Sequence, residues 1–357
     1  MEVSIYEKKK EAYSIADEKK LEMCIPIIKV YNNLAFPLSI ICCKEYAKDW
    51  FFSNFINIYS YYNEKIGKLE LNYDVQFFED EIYYLNTEKI SIASFDVTNK
   101  DIIQYIINII DMNKYLCIFL DEYYIKYSYN YKKNHHNHEF FIYGYSKREA
   151  ICYCMFYDKS MTYVSKKIEW ESIKEAFHSR QLNRDYPIIL YSYHEINQWT
   201  RPIYRMEIEY VVKVLTDYIE GENFMFSRQN INHLKNNCIN KYGINVYDDL
   251  INYLLHLNLG KDINLISFYL LYEHKRCMNK RIQYLVCKGI NVKNICQEYS
   301  HIEKKARIIV NMFIKYIIRK ENNMDFTKKI VSYLEEMKKQ EIELISELVK
   351  IMESEYV

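Results

Sequence analysis

One histidine and one aspartate stand where strand pairing could set them to work together. His138–Tyr145 (HEFFIYGY) and Ala150–Tyr157 (AICYCMFY) are rich in aromatic and β-prone residues, and Ser146–Glu149 makes a polar connection between them. Residues equidistant from the turn of an antiparallel hairpin face each other, so a loop centred near residues 147 and 148 sets His138 opposite Tyr157 or Asp158. Alternation then puts His138, Phe140, Ile142 and Gly144 on one face, and Ala150, Cys152, Cys154, Phe156 and Asp158 on one face of the partner. A carboxylate beside an imidazole fixes its tautomer and stabilises the imidazolium once it takes a proton, so the pair suits acid–base and nucleophilic catalysis. On spacing alone a solvated His–Asp contact at a sheet end is the favoured reading.

Other chemistries find less support. In Asn134–His138 (NHHNH), His136 and His138 would share a strand face, with Glu139 adjacent, but no second ligand cluster of matching type occurs, so no metal is expected. With 6 Gly and 4 Pro the chain has no Gly-rich phosphate loop, and no cofactor is expected. None of the 10 cysteines forms a C-x-x-C pair, and Cys152 and Cys154 read as small core residues. A thiol nucleophile belongs at a helix N-terminus, where the dipole favours thiolate. Cys42 and Cys43 fall deep inside a predicted helix, which leaves Cys24, just before Pro26, as the candidate by elimination.

The elements that must position these groups are legible from periodicity. Leu34–Tyr46 reads as a buried helix with Pro37 in its first turn, Trp50–Ile66 as an aromatic helical stretch, and Asp101–Met112 as a helix with a broad isoleucine face. Tyr115–Leu120 reads as a buried strand, Met161–Val164 and Tyr186–Tyr193 as further strands, and Trp170–His178 as an amphipathic helix. Glu7–Met23 is a charged short helix or arm. Beyond Pro202 helical spacing dominates, Gly243–Tyr247 being the only strand-like stretch, with Val211, Leu215, Ile309 and Phe313 in the expected core and a last helix over Phe326–Met352. The expected class is α+β, with a mixed domain over residues 1–200 and an all-helical domain over 201–357.

The 357 residues carry 48 basic and 48 acidic side chains, and this neutrality argues against a non-specific nucleic-acid binder. No uncharged apolar run approaches the ~20 residues that span a bilayer, and Met1–Lys20 lacks the apolar core of a signal peptide. A cytoplasmic protein with reduced thiols and no membrane association is expected. The 38 tyrosines, with abundant Ile, Asn and Lys, read first as a compositional habit.

The stretch Phe119-Leu-Asp-Glu-Tyr-Tyr124, then Tyr131-Lys-Lys-Asn-His135, His138–Tyr145 and Phe156-Tyr-Asp158 resembles a papain-like family, that of the butirosin-biosynthesis acyltransferase N-terminal domain of antibiotic and non-ribosomal peptide gene clusters. Trp50–Ile56, Gly67–Leu71 and Glu175–Phe177 extend the resemblance over roughly residues 25 to 195. It implies a papain-like domain whose antiparallel sheet packs on helices, His138 as general base, Asp158 as its orienting partner, and substrate contacts from Asp121, Tyr123 and His135. The family's nucleophilic cysteine would fall near Tyr31–Asn33, where this chain has none. Two functions follow as expectations. One is acyl or peptidyl transfer, or hydrolysis, in specialised-metabolite biosynthesis, with a carrier-protein thioester as donor. The other is a catalytically inactive accessory protein that binds a carrier protein or a biosynthetic enzyme. Homo-oligomerisation through Phe326–Met352 is compatible with either.

Overall fold

The computed structural model describes residues 17–63, 67–75, 82–98, 101–179, 186–194, 196, 202–222, 239–256, 264–319 and 324–356. In chain order its first elements are β1 (Glu18–Lys20), α1 (Asn32–Ile41), α2 (Lys48–Ser53), β2 (Ile58–Asn63), β3 (Lys68–Tyr73), β4 (Leu85–Ile90) and α3 (Ile92–Thr98). Next come α4 (Ile102–Asp111), β5 (Tyr115–Asp121), β6 (Asn137–Ser146), β7 (Ile151–Tyr157), β8 (Tyr163–Glu169), α5 (Trp170–Ser179) and β9 (Ile188–Tyr193). The remainder is α6 (Ile208–Glu220), β10 (Ile239–Tyr242), α7 (Val246–Leu255), α8 (Leu265–Cys287), α9 (Lys293–Arg319) and α10 (Met324–Tyr356). The protein is α+β with antiparallel sheets and a helical C-terminal region. Residues 7–16 of the charged N-terminal arm lie outside the described residues.

Two compact units divide the chain. The first takes Met1–Ile25, Ser39–Cys43 and Glu79–Glu195; the second takes Pro26–Leu38, Lys44–Phe78 and Ile196–Val357.

The first unit is built on an antiparallel sheet of order β4-β9-β5-β6-β7-β8, with β1 paired to the far end of β6. Alternation sends Leu116, Ile118, Leu120, Phe140, Ile142, Cys152, Cys154, Phe156 and Ile168 to one face, where they meet the isoleucines of α4 and Ile173, Ala176 and Phe177 of α5. Six of the ten residues of α4 are buried isoleucines. Each contributes about 1.5–3 kcal/mol of burial, and this stripe anchors the helix to the sheet. Asp101 caps that helix, its carboxylate accepting from the amides of Ile103 (2.9 Å) and Gln104 (3.3 Å). The opposite face carries Tyr115, Cys117, Phe141 and Tyr193; Tyr115 stacks on Phe141 at 5.6 Å, and the Tyr193 hydroxyl donates to the Ile40 carbonyl at 2.6 Å.

The second unit combines a three-stranded sheet, β10-β2-β3, with α6 to α10. Val211, Leu215, Ile309 and Phe313 are all buried in it. Among the described residues beyond Pro202 the strand is β10 (Ile239–Tyr242), which precedes the stretch expected from sequence. β10 ends at Tyr242, and Gly243, with φ +55°, turns the chain into a helical turn and then α7. Trp50–Ile66 is not one helix either: α2 stops at Ser53 and β2 begins at Ile58. Buried Arg281 explains the break, donating to the carbonyls of Phe52 (2.7 Å), Asn54 (2.6 Å) and Phe55 (3.1 Å) that a continuing helix would have used itself. Pro37 lies inside α1 rather than in its first turn, because the helix begins at Asn32.

Candidate functional site

The site sits where β5 ends and β6 begins. Antiparallel pairing sets Leu120 opposite His138 and Asp121 opposite Asn137, so the residues just before β6 return to the level of Asp121. The intervening chain closes on itself: the Glu122 amide donates to the His136 carbonyl at 2.9 Å and the Lys132 amide to the Tyr123 carbonyl at 3.1 Å. Lys132 takes a left-handed backbone (φ +53°) to make this turn, a conformation a non-glycine residue adopts only when its surroundings impose it.

This closure brings His135 onto Asp121. His135 Nδ1 lies 2.6 Å from Asp121 Oδ2. Asp121 Oδ2 also accepts from Ser179 Oγ at 2.9 Å, while Oδ1 accepts from the amides of Tyr123 (3.1 Å) and His136 (3.2 Å). The Asp121 side chain is 1% exposed and that of His135 is 49% exposed. Burial alone would raise the Asp121 pKa, but the bonds from His135, Tyr123, Ser179 and His136 outweigh it and hold the carboxyl below its ordinary value. An ionised carboxylate only accepts, so Nδ1 of His135 donates and a neutral imidazole keeps its lone pair on Nε2. The Tyr123 ring stacks on the imidazole at 4.4 Å and 22°, and Lys132 Nζ lies 5.0 Å from the Tyr123 ring and 5.3 Å from that of Tyr124. The result is an oriented imidazole on a buried anion, flanked by aromatic rings and an ammonium. It can accept a proton at Nε2 and hold the resulting charge against Asp121.

His138 lies in β6, and Asp158 lies one residue past the end of β7. β6 and β7 pair antiparallel with Phe141 opposite Met155, and the rings of Phe140 and Phe156 lie 4.8 Å apart one step further along. Asp158 follows directly after β7 and builds the turn into β8: Oδ1 accepts from the amides of Ser160 (2.9 Å) and Thr162 (3.1 Å). His138 Nδ1 stands 3.9 Å from the Glu139 carboxylate, and its ring lies 5.9 Å from that of His136.

Cys24 is half-buried in the first unit, its amide donating to the Ser39 carbonyl at 2.9 Å, within electrostatic reach of Tyr115 and Tyr163. That is the sheet face of Cys117 and Phe141, whereas the pairing of His138 with Leu120 carries His138 to the face of Phe140 and the α4–α5 core. Cys42 and Cys43 lie just past the C-terminus of α1 rather than deep inside it, and Cys43 Sγ donates to the Ser39 carbonyl at 3.2 Å. The dipole at that end of a helix disfavours thiolate. Cys152 and Cys154 face the core, and burial pushes both thiols up, Cys152 to about 12. Among the described residues no group of three or more His, Cys, Asp or Glu is placed to hold a metal ion, and no helix is long and apolar enough to cross a membrane.

Sequence reasoning named Asp121, Tyr123 and His135 as substrate contacts and did not pair the first with the third. The signal was there: an aspartate closing one strand and a histidine two residues before the antiparallel next one. Ser179, 58 residues from Asp121, left no such signal. Set against models of protein families and against curated proteins, the chain matches none.

Proposed function

We propose that residues 1–200 form a papain-like domain of the butirosin-acyltransferase type that carries out acyl or peptidyl transfer, or hydrolysis, in specialised-metabolite biosynthesis, with His135 as proton acceptor and Asp121 as its orienting anion. The single observation that carries this reading is the 2.6 Å contact between a half-exposed imidazole and a buried carboxylate already satisfied by three other donors. In the reaction an amine or water adds to the carbonyl of a carrier-borne thioester as Nε2 of His135 takes its proton. The new C–N or C–O bond forms, the C–S bond breaks, and the imidazolium returns the proton to the departing thiolate. Lys132 supplies positive charge beside the developing oxyanion. The nucleophile in this scheme belongs to the substrate. Cys24 is grouped with Tyr115 at one end of β5 and His135 with Asp121 at the other, and six residues of extended strand span about 20 Å.

A second reading is favoured by the engagement of Asp158 in its own turn, away from an orienting role. In it the chain is an inactive accessory protein that binds a carrier protein or a biosynthetic enzyme. The discriminating experiment measures thiol release from an acyl-pantetheine thioester, with and without an added amine, for wild type and for His135→Ala, Asp121→Asn, His138→Ala and Cys24→Ser. Turnover falling about 100-fold or more in His135→Ala, with Cys24→Ser near wild type, supports the proposal. Loss confined to His138→Ala and Cys24→Ser moves the chemistry to the family's own dyad and a thiol. Release at the buffer rate by every protein supports the accessory reading.

A further inference from the structure

The outward face of the small sheet in the second unit is aromatic and acidic. Cross-strand pairing sets Tyr242, Tyr59 and Asn72 in one row and Tyr61 with Glu70 in the next. Alternation buries Ile58, Ser60, Leu69, Leu71 and Tyr73 on the other side and leaves Tyr59, Tyr61, Glu70 and Asn72 half-buried. The Tyr59 ring lies 5.9 Å from that of Tyr61, inclined by 38°, and 6.1 Å from that of Tyr242, inclined by 45°. The three rings thus lie side by side along one sheet face, tilted rather than stacked flat. Tyr31 closes one side, its hydroxyl donating to the Leu71 carbonyl at 2.8 Å, within electrostatic reach of both Tyr59 and Glu70.

Two carboxylates flank the rings. Glu70 accepts from the Tyr61 hydroxyl and from Asn63 Nδ2 at 3.0 Å. Asp74, one residue past β3, acts electrostatically on Tyr59, Tyr210 and Tyr242. Burial first, and these carboxylates second, push the hydroxyls of Tyr31 and Tyr61 up, and that of Tyr242 to about 12, so the phenols stay neutral and the walls carry no charge of their own. Lys68, on this sheet face, lies one row beyond Glu70, at the end away from Asp74. A wall of neutral rings with negative charge at its rim attracts an organic cation through the ring quadrupoles and through Coulomb attraction together.

We propose that this face binds an organic monocation, an alkylated or quaternary ammonium group, with Tyr59 as its floor, Tyr61 and Tyr242 as flanking rings, and Asp74 and Glu70 as counter-charges. The site is separate from the Asp121–His135 pair and independent of the acyl-transfer reading. The test is calorimetric titration of the full chain with choline and with 3,3-dimethylbutan-1-ol, which has the same shape without the charge. Saturable choline binding is expected, with the neutral alcohol about tenfold weaker or more. Tyr59→Leu and Asp74→Asn should each weaken choline about fivefold, while His135→Ala leaves it unchanged. Should Tyr59→Leu fail to fold, Asp74→Asn, which removes a charge from a half-exposed side chain, carries the comparison. Equal binding of the two probes, no saturation below about 50 mM choline, or wild-type affinity in Asp74→Asn overturns the proposal.

Discussion

His135 and Asp121, 14 residues apart, meet at 2.6 Å because the β5–β6 register and the closed loop between them leave the imidazole no other level at which to sit. A buried carboxylate with four donors is a rigid anchor, and it dictates which nitrogen of the ring holds the proton. The Nδ1–H tautomer is therefore expected for neutral His135, readable from its ring ¹⁵N shifts. Asp121→Asn offers Nδ1 an amide that can donate as well as accept, so the tautomer ratio should shift toward Nε2–H while the circular dichroism spectrum stays that of wild type. An unchanged ratio in Asp121→Asn would mean that the carboxylate does not orient the ring.

The same carboxylate sets an acid limit on the first unit. Its pKa is lower folded than unfolded, so protons bind the unfolded state more tightly. Its contribution to stability is then fully present above the unfolded value, near ~4, and is lost as pH falls through the lower folded value. Denaturation midpoints of wild type should drop more steeply than those of Asp121→Asn as pH falls below about 4. Parallel slopes would show that the hydrogen bonds drawn to Asp121 do not favour its charged form.

Gly144 is the place where the first unit tolerates no side chain. A Cβ there would stand 2.5 Å from the Lys19 carbonyl oxygen and 3.0 Å from the Lys20 Cα, both backbone atoms of β1. Gly144→Ala must push β1 off the edge of β6, at a cost of about 1–3 kcal/mol. Hydrogen exchange localises the effect: the Leu21 amide, which donates to the Tyr143 carbonyl at 2.8 Å, should lose protection while the Ile118 and Phe140 amides of the β5–β6 pairing keep theirs. Uniform loss across the sheet would instead indicate global destabilisation.

Where local pattern and tertiary structure agree, the sequence was sufficient. The hairpin read as His138–Tyr145 and Ala150–Tyr157 is Asn137–Ser146 and Ile151–Tyr157, because β-prone aromatic runs and a polar connection are local properties. The register shift between Ile142 and Gly144, by contrast, sets Gly144 opposite Tyr153 and takes it off the face that period-two alternation gave it with His138. Trp50–Ile66 defeated the same reasoning because the helix there is ended by Arg281, more than 220 residues away in the chain, collecting carbonyls that the local sequence would have spent on helix. Gly243–Tyr247 failed for a smaller reason: its apolar content fits strand and helix alike, and the left-handed glycine at its head decides for the turn. At the site, residue types were visible and their pairing was not. Asp121 and His135 meet through a strand register, and Ser179 arrives from the end of α5.

The heart of the second unit holds a pair of opposite charges with no access to solvent. Lys275 Nζ lies 2.7 Å from Glu341 Oε2, and both side chains are 0% exposed. Lys275 also donates to the Tyr218 hydroxyl at 2.7 Å and lies over the ring of Tyr247 at 4.9 Å, while the hydroxyls of Tyr247 and Tyr299 donate to the carboxylate. Burial lowers the Lys275 pKa, and Glu341 is what works against that shift. Removing one partner leaves the other charge buried without compensation, so Lys275→Met and Glu341→Leu are each expected to cost about 3–5 kcal/mol. The double variant replaces both charges by apolar groups of similar size and should recover most of that loss, although the Tyr247 and Tyr299 hydroxyls then lack their acceptor and the Tyr218 hydroxyl its donor, which holds back part of it. Urea midpoints for the two single variants and the double variant close the cycle. A double variant as destabilised as the sum of the singles would show that the two residues contribute independently, and that their contact is not what stabilises this core.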